Sequence, residues 1–197
     1  MRHSRQNAFS LVELIIVMSL MVLMATFVTP AVKSLTSANG LTAAGNLVAS
    51  MVEQARQRSM SGNVLTALVL ITNGDTERTN RVIALLEYNT EESVPQWRQV
   101  TKWQHLPNGI VVDNQCTFIS NSVAKLPFAA DAALPVDYHG TGITSFASRV
   151  FLPNGGLYTP SAAAEIRLIE GIANSGAANY YNIAIIGSTG RGKIERP

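Results

Sequence analysis

The chain has 197 residues and a formal charge of +2, from 15 Lys and Arg against 13 Asp and Glu. That length leaves room for one soluble domain beside a terminal helix, and so small a charge gives no support to a general binder of polyanions or anionic surfaces. Arg2 and Arg5 stand ahead of the first apolar run, and without them the remaining side chains are formally neutral. The single cysteine, Cys116, excludes an intramolecular disulfide, and a lone thiol of this kind is expected to be buried and inert.

Residues 1–8 form a short polar leader, followed at once by Phe9-Ser10-Leu11-Val12-Glu13 and then by an uncharged stretch from Leu14 to Val32. About 20 apolar residues suffice to span a bilayer as a helix. The arginines of the leader put it on the cytoplasmic side and the bulk of the chain outside. Glu13 stands at the front of this run, where an ionisable group is costly and is by default functional. Two plainer readings compete: a secretory signal cut after Ala31, and a plain single-span anchor. Against the first, the apolar region exceeds the roughly 7–15 residues of such signals, and a carboxylate would serve no purpose in a discarded peptide.

The order polar leader, Phe9, Glu13, apolar run resembles the class III signal of type IV pilins and type II secretion pseudopilins, which is cut before the apolar stretch instead of after it. The resemblance implies prepilin-peptidase cleavage between Ala8 and Phe9, with Ala8 standing where the family usually has Gly. It implies an N-methylated Phe9 as the mature terminus, retention of the helix, and a helix-kinking role for Pro30. In a helix Phe9 and Glu13 lie about 6 Å apart along the axis on one face. If subunits stack with an offset of about one turn, the carboxylate of one meets the α-amine of the next, and a buried pair of this kind fixes register. Phe9, Glu13 and Pro30 are therefore the expected assembly residues.

Past Pro30 a second helical stretch is expected over roughly 31–60, with Leu35, Leu41, Ala44, Val48, Met51 or Val52, and Ala55 at helical spacing. Ser61-Gly62-Asn63 supplies the stop. Gly40 and Gly45 each weaken the helix by about 1 kcal/mol relative to Ala and would let it bend or melt. From Val64 onward short strands are expected at 64–71, 82–88, 96–104, 110–112, 149–152, 165–169 and 181–187, bounded by Asn-Gly and Pro-Asn-Gly turns. Residues 118–148, rich in Ala, Ser and Pro, are expected to be loops. The fold class is α+β: a long amino-terminal helix whose amphipathic half packs on a carboxy-terminal antiparallel sheet, because Leu41 to Ala55 needs an apolar surface to cover it. The organisation read from this is a leader at 1–8, a transmembrane and assembly half-helix at 9–32, an amphipathic half at 33–62 and a periplasmic β-rich domain at 63–197.

Glu53-Gln54-Ala55-Arg56, Phe151-Leu152-Pro153-Asn154-Gly155 and Gly190-Arg191-Gly192-Lys193 resemble the H-type minor pseudopilins and the FimT-like minor pilins. The partners implied are other pilins or pseudopilins, a prepilin peptidase, an inner-membrane assembly platform and membrane lipid, in a bacterial inner membrane crossed once. Some FimT-like proteins bind DNA through a Gly-Arg-x-Arg motif, so Arg191, Lys193 and Arg196 are the candidate phosphate contacts of an alternative DNA-uptake role. Lys for Arg keeps the charge but loses the bidentate fork, and phosphate tracking needs several cations. Gly187-Ser188-Thr189-Gly190-Arg191-Gly192-Lys193 has phosphate-loop spacing, but Ile194 stands where the Mg²⁺-binding hydroxyl belongs. A turn leading to a frayed tail is expected there instead. No catalytic constellation stands out, the histidines have no metal-ligand spacing, and no enzyme activity, cofactor or metal is expected.

Overall fold

The apolar run and the amphipathic stretch after it form one helix, α1 (Leu11–Gly62), in the computed structural model of the chain. The structure describes residues 11–73, 78–90, 95–120, 126–128, 137–138, 141–142, 145–159, 164–171 and 179–195, without the side chains of 27–38, 137–138 and 141–142. Pro30 falls within the span of α1, so helix is continuous through the expected boundary. The helix stops where expected: Asn63 takes a left-handed φ of 51°, and the Val64 amide reaches back to the Ser59 carbonyl at 3.2 Å. This six-to-one bond satisfies a carbonyl that the helix end would otherwise orphan.

The chain divides into two units, Met1–Asn39 and Gly40–Pro197. The second holds β1 (Thr66–Ile71), β2 (Val82–Asn89), β3 (Gln96–Gln99), β4 (Gln104–His105), β5 (Ile110–Val112), the short α2 (Thr117–Ser120), β6 (Asp137–Tyr138), β7 (Thr141–Gly142), β8 (Phe146–Phe151), β9 (Ala164–Glu170), β10 (Tyr180–Ile185) and β11 (Gly192–Glu195). The α+β class holds, with two main antiparallel sheets where a single sheet was expected. One runs β3-β2-β1-β8 with β4 also on β2, the other β11-β10-β9-β5, and β6 and β7 pair separately. The expected 96–104 strand is two pieces, and the 118–148 loop region contains part of α2, the β6–β7 pair and the start of β8.

Two cores explain why alternation is faint in β1. Leu68 and Leu70 join Leu41, Val48, Val52, Ile166, Leu168 and Ile183 under the helix, while Ala67, Val69 and Ile71 meet Trp97, Leu126 and Phe146 on the other side. A strand covered on both faces reads as a continuous apolar run. Cys116 is buried in the first core, where burial pushes its thiol up from the ordinary range.

Gly45 does not mark a melting point. A Cβ there would lie 2.3 Å from Cε1 of Tyr181, whose ring is buried and whose hydroxyl donates to Asn46 Oδ1 at 3.3 Å. The glycine lets α1 close on β10. Gly40 differs, since its Cβ would find Ile110 at an ordinary 3.8 Å. Gly40→Ala should therefore stabilise by about 1 kcal/mol through helix propensity. Gly45→Ala should destabilise, because overpacking costs about 1–3 kcal/mol and outweighs the same gain. Thermal unfolding of the detergent-solubilised chain checks this: opposite shifts of about 2–4 °C per kcal/mol are expected, and a rise for both would mean that the Tyr181 ring yields.

Candidate functional site

The first candidate is the amino-terminal half of α1. Every described side chain from Leu11 to Thr26 is exposed, including Leu11 at 75% and Met24 at 67%. A helix apolar all round belongs in lipid or in a protein core, and among the described residues these side chains stand exposed. The two hydroxyls between Leu11 and Thr26 need no water: Ser19 Oγ donates to the Ile15 carbonyl at 2.8 Å and Thr26 Oγ1 to that of Leu23 at 2.7 Å. Glu13 is exposed in the first described turn of α1, the end where a carboxylate also favours its own helix dipole. Ala8 and Phe9 lie outside the described residues, and of Pro30 only the backbone is described. Among the described residues no helix is long and apolar enough to cross a membrane.

The second candidate is the tail turn. Residues 187–189 form a turn closed by the Gly190 amide on the Ile186 carbonyl at 2.7 Å, and the Ile186 amide bonds the Arg191 carbonyl at 2.9 Å. Arg56 on α1 donates from Nε to the Thr189 carbonyl at 2.8 Å while its Nη1 meets Glu53 at 3.1 Å, which ties the turn to the helix. The frayed tail expected after the turn is instead β11, with Ile183 opposite Ile194 and Ala184 opposite Lys193. Pairing continues here because β10 offers an open edge; a Cβ at Gly192 would meet Val52 at an ordinary 3.5 Å.

Arg191 and Lys193 are both exposed on this edge, and Arg196 lies outside the described residues. Lys193 Nζ is held by Glu195 Oε1 at 2.8 Å, a contact that raises the lysine above its ordinary range. A phosphate on Lys193 would have to displace that carboxylate. The described tail thus presents two cations and one anion, fewer positive contacts than tracking a nucleic-acid backbone requires.

Sequence reasoning missed Arg149. It is buried in β8, donating to the carbonyls of Ser148 at 2.7 Å and Thr117 at 2.6 Å, with its guanidinium 5.1 Å from the Phe118 ring centre. Burial lowers its pKa. It ties α2 to the sheet, and no pattern in the sequence separates it from a solvated strand arginine.

The family model of the prokaryotic N-terminal methylation motif matches residues 3–29, which bears out the resemblance read at Phe9–Val17. No curated protein matches the chain in sequence. Among solved structures, the type IV minor pilin FimU of Pseudomonas aeruginosa is similar at 12% identity and a TM-score of 0.48, over 83% of this chain and 96% of that one. The minor pseudopilin EpsH of the Vibrio cholerae type II secretion system is similar at 10% identity and a TM-score of 0.49, over 81% and 95%. A second EpsH structure gives 7% identity and a TM-score of 0.44, over 80% and 95%.

Proposed function

We propose that this chain, which carries the prokaryotic N-terminal methylation motif over residues 3–29, is a minor pilin or pseudopilin subunit. It assembles through α1 into a type IV pilus-like or type II secretion filament. The observation that carries the reading is the coincidence of that motif with a helix whose described apolar side chains, from Leu11 to Met24, are exposed. Such a surface needs lipid before assembly and neighbouring helices afterwards. The leader at 1–8 is removed by a prepilin peptidase, Phe9 becomes the methylated terminus, and 9–32 anchors the subunit in the inner membrane. The β-rich domain, 63–197, then lies on the far side from the leader's arginines.

Glu13 and Phe9 act as a pair across subunits, setting axial register, and Pro30 adjusts the path of the helix within the bundle. The role is structural, not catalytic. Protein purified from membranes of cells with a prepilin peptidase should, by mass spectrometry, begin at an N-methylated Phe9. An amino terminus at Val32 would overturn the reading, since the uncovered helix would then have been discarded.

A further inference from the structure

Asn is followed by Gly at 39–40, 73–74, 108–109 and 154–155. In such a pair the glycine amide nitrogen can attack the asparagine side-chain carbonyl carbon, because no Cβ shields it. A new C–N bond closes a succinimide, the bond to the side-chain nitrogen breaks, and ammonia leaves. Water then opens the ring to aspartate or isoaspartate. The reaction requires the attacking amide to be released and the backbone to swing about the asparagine, so the fold decides which pair reacts.

The pairs differ sharply in this respect. Gly155 is buried and its amide is spent on the Leu152 carbonyl at 2.8 Å. Asn154 Oδ1 is itself held by the Gly156 amide at 2.9 Å, and the Met60 sulfur stands 2.9 Å from a would-be Gly155 Cβ. Gly40 lies inside α1, where its amide serves the helix ladder. Gly74 lies outside the described residues. Asn108 and Gly109, by contrast, are both exposed at the tip of the turn between β4 and β5. Nothing lies within 4 Å of the place a Gly109 Cβ would take, and its φ is +84°. The turn is closed by the Ile110 amide on the Pro107 carbonyl, 3.1 Å, and the Gly109 carbonyl accepts from the Gly171 amide at 2.8 Å, bonds that hold the far side of the turn and leave the Gly109 nitrogen out.

We propose that Asn108 is a site of spontaneous deamidation in the folded protein, while the fold protects Asn39 and Asn154. The product places a new negative charge two residues before Ile110, which faces Glu170 across the β5–β9 ladder. An isoaspartate also adds a methylene to the main chain of that turn.

The test is incubation of the full-length detergent-solubilised chain at mildly alkaline pH, natively and in urea, with conversion localised by fragment ions. Asn108 should convert at similar rates in both conditions. Asn39 and Asn154 should match it in urea but react about tenfold or more slowly natively, the protection given by a local opening free energy of about 1.4 kcal/mol or more. Gly109→Ala should suppress conversion at Asn108 alone. The proposal is overturned if Asn154 keeps pace with Asn108 in the native chain, or if Asn108 is itself tenfold slower folded than in urea.

Discussion

Glu13→Val should leave the subunit in the membrane yet abolish its crosslinking to partner pilins. Valine is favoured in an apolar helix where a carboxylate is penalised, so insertion holds or improves. On the proposed pairing, assembly should fail because the neighbour's α-amine is left buried and unpaired, which costs about 3–5 kcal/mol. That corresponds to a fall of roughly 10²- to 4 × 10³-fold in association. A merely local role for Glu13 at the start of its own helix would cost only about 0.3–1 kcal/mol, so the size of the loss separates the two roles. Glu13→Asp keeps the charge but shortens the reach by one methylene, and should crosslink at an intermediate level. If Glu13→Val crosslinks as well as the parent, the carboxylate does not determine assembly, and the chain is better read as an anchored β domain.

Gly190→Ala should be among the most damaging substitutions in the β domain. The new Cβ would lie 2.1 Å from the Gly155 carbonyl oxygen, and the residue would have to hold a φ of +64°. Left-handed strain costs about 1–3 kcal/mol and overpacking about 1–3 more, from a total stability of about 5–15. The contact is with backbone, which cannot swing aside as a side-chain tip can. The turn should open and β11 should detach, seen as faster hydrogen exchange over 192–195 together with a lower melting temperature. Gly109→Ala is the control: its φ is equally left-handed, at +84°, but nothing stands within 4 Å. If the two variants melt alike, Gly155 is not a fixed wall and the tail turn is looser than its hydrogen bonds indicate.

Several elements were legible before any coordinates. The strand at Ile110–Val112 and the end of α1 at Gly62 follow from local chemistry: a short β-branched run after a Pro-Asn-Gly turn, and a Ser-Gly-Asn stop after a helical period. The proposed site at Phe9 and Glu13 is a reading of the sequence alone, since a charge at the head of an apolar run needs only its neighbours in sequence to be noticed. The second sheet was not legible. It depends on which strands meet, β5 joining β9 and β1 joining β8, and those partners are far apart along the chain. Tail residues 192–195, rich in glycine and charge, have little strand propensity of their own. They become a strand because β10 offers an open edge.

The sequence by itself determined the apolar helix, its leading carboxylate, the methylation motif and the α+β class, because each is written in periodicity and composition over contiguous residues. Tertiary structure alone decided the meaning of Gly45, which is a close approach to Tyr181 and not a weak point, and the burial of Arg149 against two carbonyls and a ring. It also set the pairing of Lys193 with Glu195 on an edge strand and the different exposure of Gly109 and Gly155, which follow Asn108 and Asn154. The physical reason is common to all of these. A residue's type and spacing state what it can do, whereas its cost or reactivity depends on atoms brought within a few ångströms by segments distant in the chain.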